Sequence, residues 1–378
     1  MRKISNRRRN LVYGAALVLS LGVAATQGVA QTPQALGTNG DISDGKPVIT
    51  KLTVDNLPLN SIHRMWFRVM TTGTGQHWDV PVVVIRGAKP GKRLLLNTGI
   101  HGDELNGTRI LPEVLATIDP AKLSGTITAV LLANIPGALL DQRTILVQSS
   151  GPDFSANVNR VMPGKIDGTV TERYAARLWN DLYDGNADLV IDVHAQSSGT
   201  EYPMFVYFDQ RLPDSRRMAE RVGADAIKID SGEKGSVETT FDEAKIPAIT
   251  FEIGSPNVYQ RKMIDRAVAG IRNVMFSYGM IADMPAAAAK PAFEGNEFTN
   301  VKAAVGGLAE ITVKLGEMVT KDQPIAIQRD LFGDTLKQYN APHDGYVLSV
   351  STNPVREPGA MLVRVLWMNA DPKCKDGC

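Results

Sequence analysis

Cysteine is nearly missing from this 378-residue chain: there are two, Cys374 and Cys378, both inside the closing "CKDGC". That excludes a disulfide framework for the core. It also excludes cysteine catalysis, because neither thiol lies near another polar cluster. An oxidising compartment permits the two to pair, but so short and terminal a loop stabilises little of the core. Excess charge is missing too. Lys+Arg total 41 against 40 Asp+Glu, a formal charge of +1, so nothing electrostatic calls for nucleic acid as a partner. Histidine is scarce, at five residues, and the placement of each is therefore informative.

A run long enough to span a membrane is also missing. "LVYGAALVLSLGVAA" is too short for a comfortable span, and it follows the basic "MRKISNRRRN". Residues 1–30 read as a cleaved signal peptide. Arg8-Arg9 loosely suits twin-arginine export. The expected location is periplasmic or secreted, with no stable membrane span after signal cleavage.

Residues 31–47 are polar and Gly-rich and read as a flexible lead-in. From Lys51 to about Arg86, short runs such as "HRMWFRVMTT" and "WDVPVVVIRG" suit a small antiparallel meander. Strand and helix patterns then alternate. "RLLLNTGI", "GTITAVLLANIPGA", "ADLVIDVHA" and "IPAITFEIG" read as buried strands. "ELNGTRILPEVLATI", "TERYAARLWNDLY", "PDSRRMAERVGADAI" and "RKMIDRAVAGIRNVMFSYGMI" read as helices. This order predicts an α/β fold: a mixed, mainly parallel sheet with helices on both faces, over residues 48–283. Residues 284–293 form an Ala/Pro linker. Residues 294–370 alternate apolar and polar positions between Gly-rich turns and resemble a small all-β barrel-sandwich domain. The hairpin "RDLFGDTLK" lacks the lysine signature for a carried cofactor, so Lys337 reads as a solvated side chain. Residues 371–378 form a tail with the cysteine pair.

In an open α/β sheet, ligand sites collect at the carboxyl ends of the strands. His101 and Glu104 follow one strand in "NTGIHGDELNG", His194 ends another, and Glu252 ends a third. Two imidazoles and a carboxylate with one open position suit a catalytic zinc ion. Each short motif is weak alone: H-x-x-E also describes a surface pair at a helix start, and "DVHAQ" a satisfied strand-end histidine. The joint pattern is stronger. Arg143 closes "NIPGALLDQR", and Asn159-Arg160 precede a Pro-Gly turn. Arginine suits bidentate recognition of a carboxylate. Asp192 reads either as a partner for a ligand histidine or as a residue bonded to backbone. Asp103 reads as a helix-start charge. His63, His77 and His343 lack partner spacing and read as structural or exposed. Trp66, Trp78, Trp179 and Trp367 read as core or interface filler.

"GIHGDELNG", "NIPG…R", "NVNRVMPG", "DVHAQSSG" and "FEIG" resemble, in content and order, the succinylglutamate desuccinylase/aspartoacylase family, a branch of the zinc carboxypeptidase fold. The resemblance covers roughly residues 90–280, and the trailing β segment is similar to the C-terminal domain of many members. It implies one zinc ion held by His101, Glu104 and His194, with Glu252 as general base. It implies that Arg143 holds the carbonyl oxygen or a substrate carboxylate, and that Asn159 and Arg160 grip a carboxylate. The expected function is cleavage of an amide bond of an N-acyl amino acid, or a related small carboxylate-bearing substrate, by metal-activated water. The alternatives are an exported metallocarboxypeptidase acting on peptides or wall fragments, and a non-catalytic adaptor with a degenerate site. The expected partner is a small N-acyl amino acid or short peptide, with an oligomer left open. Loops 195–210 and 230–245 are expected to set specificity, and "SGEKGSVETT" to form either a lid or a surface loop.

Overall fold

The computed structural model describes residues 36–145, 155–283, 291 and 293–378. The signal peptide and most of the linker lie outside the described residues. In chain order the first strands are β1 (Leu36–Ser43), β2 (Lys46–Leu52), β3 (Ser61–Thr71), β4 (His77–Arg86), β5 (Lys89–Thr98), β6 (Ser124–Val130) and β7 (Leu189–His194). They are followed by β8 (Thr200–Glu201), β9 (Met204–Phe208), β10 (Ala226–Ile229), β11 (Ala248–Ile253) and β12 (Phe293–Gly295). The helices are α1 (Asn106–Ala116), α2 (Ile135–Ala138), α3 (Val170–Leu178), α4 (Pro213–Arg221), α5 (Val237–Glu243) and α6 (Arg261–Ser277). All these strands except β8 form one sheet in the order β1-β2-β3-β4-β6-β5-β7-β11-β9-β10-β12. At its centre β6, β5, β7 and β11 run parallel, while β4 and β9 flank them antiparallel.

Successive residues of the central strands enter different layers, as strand geometry requires. Leu94, Leu96, Ile191 and Val193 pack in the layer of α1, α4 and α6. Leu95 and Val190 pack in the layer of α3 and α5, with Tyr174, Leu178 and Phe241. Helices on both faces follow directly from strands that are apolar on both sides. Thr169 caps α3 through a reciprocal capping box with Glu172, two residues before the threonine that opens "TERY" in the sequence reading.

Three expectations need correction. Residues 36–47 are not a loose lead-in: β1 and β2 form the far edge of the sheet, paired antiparallel. The β segment after the linker does not start its own sheet, since β12 pairs with β10. The stretch "PDSRRMAERVGADAI" is helical only to Arg221, and Ala226–Ile229 is a strand. The β-branched run at its end outweighs helical spacing.

The C-terminal strands are β13 (Glu297–Lys302), β14 (Gly307–Ile311), β15 (Met318–Val319), β16 (Pro324–Arg329), β17 (Thr335–Asn340), β18 (Gly345–Ser351), β19 (Val355–Arg356) and β20 (Met361–Trp367). They make two antiparallel sheets, β13-β20-β18-β15 and β17-β16-β14-β19, around a core that includes Ile325, Val347, Val363 and Val365. This part is fastened to the α/β part. β8 pairs with β18, and Tyr202, Phe205, Tyr346 and Leu366 share one apolar cluster. Cys374 and Cys378 are disulfide-bonded, and Asn296 donates to the Cys374 carbonyl at 2.8 Å. Lys337 is exposed. No helix among the described residues is long and apolar enough to cross a membrane.

Candidate active site

The registers of β5, β7 and β11 build the site in rows. Leu95, Val190 and Ala248 are side by side, and so are Asn97, Asp192 and Thr250. His194 and Glu252 follow at the carboxyl edge. The rows run from apolar through hydrogen-bonded polar to titratable as the strands leave the core. Tyr183 donates to Asn97 Oδ1 at 2.9 Å, and Asn97 Nδ2 donates to Asp192 Oδ1 at 2.8 Å. Asp192 Oδ2 lies 2.8 Å from His194 Nε2, which leaves Nδ1 turned toward Glu104 Oε2 at 2.8 Å. Of the two readings of Asp192, the structure takes the histidine partner. Such a carboxylate fixes the tautomer of a ligand imidazole.

His101 and Glu104 arrive from the loop between β5 and α1. His101 Nδ1 is 2.9 Å from Glu104 Oε1, and its Nε2 is 3.2 Å from Asn157 Oδ1. The loop bends against α2. A Cβ on Gly102 would stand 2.1 Å from the Gly137 carbonyl carbon and 2.2 Å from the Ala138 nitrogen. Gly102→Ala must therefore displace one of two backbones. It is expected to lose about 1–3 kcal/mol of stability, as overpacked cores do, and a thermal melt of metal-free protein checks this.

One ligand atom from each of His101, Glu104 and His194 lies within 4.8 Å of the others. All three residues are buried, and His101 Nδ1, although 2.9 Å from Glu104 Oε1, is not aligned for a hydrogen bond to it. Burial pushes the His101 imidazole down to about 4, against the pull of Glu104, so it is neutral and ready to ligate. Burial opposes the charged form of Glu104 as well, yet His101 and His194 outweigh it and hold the carboxyl well below its usual range. Burial likewise opposes the His194 imidazolium, and Asp192 and Glu104 on its two nitrogens raise it well above its ordinary value. A cation at this point takes over the charge of that proton, so binding releases it. The donor set, two imidazoles and a carboxylate meeting at one buried point, fits a zinc ion. Asp192→Asn is expected to weaken metal affinity about 10–100-fold, read by competition with a fluorescent chelator.

The other expected residues line the same cavity, of about 280 Å³. Arg143 Nη1 donates to Glu104 Oε1 at 2.7 Å and to Ser197 Oγ at 2.6 Å. Glu252 is 9% exposed, and its Oε2 has no partner among the described residues. Burial pushes its carboxyl up to about 8, with His194 pulling down. Asn159 Oδ1 accepts from the Val237 amide at 2.7 Å, which commits that oxygen to the fold. Arg160 sits at the rim, where it donates to the Asn159 carbonyl at 2.7 Å and approaches Glu233 at 3.6 Å.

Two expectations about the surroundings change. Asp103 is not an exposed helix-start charge. It is 2% exposed, and its Oδ2 accepts from the Ser198 amide and hydroxyl at 3.2 and 3.1 Å. It thus ties the loop after β7 to the loop after β5. "SGEKGSVETT" is neither lid nor surface loop throughout: from Ser236 it caps and enters the buried helix α5. His63 touches Ser61, His77 touches Thr71, and His343 stacks on Trp367, all away from the cavity.

Ser197, Tyr202 and Tyr207 fall in the segment 195–210 expected to set specificity and line the cavity, whereas Asn157 and Arg364 were not anticipated. Arg364 comes from β20 of the C-terminal part, donates to Tyr202 and stacks on Phe298 at 4.2 Å. Its signal was one charge in the otherwise apolar "MLVRVLW".

The sequence profile described as the succinylglutamate desuccinylase/aspartoacylase catalytic domain matches residues 90–278. The N-alpha-acetyl-L-2,4-diaminobutyric acid deacetylase of Halomonas elongata is 26% identical over 313 residues, covering 76% of this chain and 83% of that protein. The product-bound ectoine utilization protein EutE (DoeB) of Ruegeria pomeroyi has a TM-score of 0.71 at 22% identity, covering 83% of this chain and 98% of that one. A succinylglutamate desuccinylase/aspartoacylase from Rhodobacter sphaeroides has a TM-score of 0.72 at 20% identity, covering 82% and 96%. The two structural likenesses show a common fold.

Proposed function

Because the chain belongs to the succinylglutamate desuccinylase/aspartoacylase family, we propose that it hydrolyses the amide bond of a small N-acyl amino acid with one zinc ion held by His101, Glu104 and His194. The observation that carries this is the meeting of those three ligand atoms within 4.8 Å at the sheet edge, beside a buried carboxyl from the next strand. The Halomonas relative is named as the deacetylase of an N-acetylated amino acid, which supports the substrate class.

Zinc, when bound, polarises a carbonyl and eases deprotonation of water. The chain's own residues do the rest. Glu252 accepts a proton from the attacking water and delivers it to the departing amine nitrogen. Burial favours the protonated form of this carboxyl, which suits a group that keeps the proton between the two steps. Arg143, now bonded to Glu104 and Ser197, brings a fixed positive charge to the carbonyl oxygen as it gains negative charge. Arg160 and the side-chain amide nitrogen of Asn159 hold the carboxylate that marks an amino acid. We propose export to the periplasm or beyond, and the paired tail cysteines suit an oxidising compartment.

The test is a panel of N-acyl amino acids offered to zinc-loaded and chelator-treated protein. Turnover that chelator abolishes and zinc restores is expected. Zinc-loaded protein that cleaves no member of the panel contradicts the proposal. Arg160→Ala should raise KM about 10–100-fold for carboxylate substrates, the weight of a charge-assisted hydrogen bond, and far less for their amides. Equal losses on both would leave Arg160 only a structural role.

A further inference from the structure

The loop between β7 and β8 is held from two sides. On its inner side, Ser197 Oγ accepts from Arg143 Nη1 at 2.6 Å, and Ser198 donates to Asp103 through its amide and its hydroxyl. On its outer side, both C-terminal sheets grip it. Gln196 Nε2 donates to Ser349 Oγ on β18 at 3.1 Å, and Gln196 Oε1 accepts from the Ser197 amide at 2.9 Å. The Gly199 carbonyl accepts twice, from the Thr352 amide at 3.0 Å and from Arg356 Nη2 on β19. Arg356 Nε also donates to Ser351, which pairs with Thr200 where the loop ends.

Gln196, Ser197, Ser198 and Gly199 have no apolar side chain to bury, so hydrogen bonds set the place of this loop. A carbonyl oxygen has two lone pairs, and both are taken at Gly199. One partner is a guanidinium, whose charge-assisted bond is roughly twice as strong as a neutral one. Neither Arg356 nor Ser349 lines the cavity, yet Arg356 holds the loop two residues from Ser197. The other end of that chain of contacts is Arg143, which donates to Glu104 and to Ser197 through one nitrogen. Glu104 is the proposed metal ligand, so Ser197 is the contact that steers Arg143 independently of the metal. A shift of about 1 Å at a reacting centre can cost about a hundredfold in rate.

We infer that Arg356 is a positioning residue: it pins the Gly199 carbonyl so that Ser197 holds Arg143 where the reacting carbonyl oxygen gains charge. The C-terminal part thereby sets the rate of a reaction whose proposed ligands and general base all lie in the α/β part. This rests on the amidohydrolase reading of the site.

The test measures KM, and kcat per bound zinc, for the zinc-loaded full chain on an N-acyl amino acid that it cleaves. Counting only zinc-bound molecules removes any loss of folded protein from the comparison. Arg356→Met keeps the apolar stem and removes the donors. It should lower kcat about tenfold or more, because Arg143 acts as charge develops, and leave KM within about threefold of wild type. Ser197→Ala should lower kcat by a similar factor, and adding Arg356→Met to it should cost less than about twofold more, since both cut one chain of contacts. An unchanged kcat in Arg356→Met overturns the assignment, as does a loss that adds in full to that of Ser197→Ala. Should Arg356→Met fail to fold, Arg356→Gln, shorter and uncharged, takes its place in the same cycle with the same expectations. If the zinc-loaded wild type cleaves no N-acyl amino acid, the amidohydrolase reading fails, and hydrogen exchange decides the role of Arg356. Faster exchange in the variant over both 196–200 and 140–145 upholds the coupling; an unchanged rate in one or both segments overturns it.

Discussion

Glu252→Gln is expected to leave zinc occupancy at the wild-type level and to lower kcat by about two to four orders of magnitude, the usual weight of a general acid–base group. The substitution keeps the side-chain volume and removes the atom that accepts a proton. Glu252 pairs in register with His194 on the neighbouring strand, yet it lies outside the group of ligand atoms around residues 101, 104 and 194. Metal binding and turnover should therefore separate in this variant. Its carboxyl is buried, with one oxygen lacking a partner among the described residues, so the group is held for chemistry rather than for packing. Metal analysis beside steady-state kinetics checks the pair of outcomes, and a kcat within threefold of wild type would remove Glu252 from the mechanism.

His194→Ala should lose the metal and, with it, all chelator-sensitive turnover. Both of its ring nitrogens are engaged, one 2.8 Å from Glu104 and the other 2.8 Å from Asp192. Removal leaves two buried carboxylates facing a gap with no imidazole between them. Breaking a buried charge pair from one side costs about 3–5 kcal/mol, so the variant should also melt earlier than wild type. Plasma emission spectrometry and calorimetry read the two effects. Full zinc occupancy in the variant contradicts the ligand assignment.

Much of this site was legible because strand-end chemistry has a simple grammar. The apolar runs before His101, His194 and Glu252 placed three titratable groups at strand ends. The fold then needed only to set β5, β7 and β11 side by side and parallel, which the registers do. What escaped was whatever depends on approach between distant segments. Asn157 reaches His101 across 56 positions of sequence, and nothing in "SANVNR" distinguishes it from Asn159. Asp103 looked like a helix-start charge because its neighbour is Glu104; only the close approach of the Ser198 loop shows it buried. Arg364 enters the cavity from the C-terminal part, whose seam with the α/β part is made by β8 and an aromatic cluster. β8 is two residues long, too short for periodicity to register. β1 and β2 were hidden for another reason: glycine, asparagine and aspartate in "LGTNGDIS" read as turn chemistry, while pairing to β3 decides the outcome.

The proposed reaction depends on one divalent ion shared by residues 101, 104 and 194. Anomalous diffraction at the zinc edge from crystals of the full chain tests this most directly. The expected result is a single peak, one per chain, bonded to an imidazole nitrogen of His101, the carboxylate of Glu104 and Nδ1 of His194. A zinc-saturated crystal with no peak there, or with its peak on other residues, contradicts it.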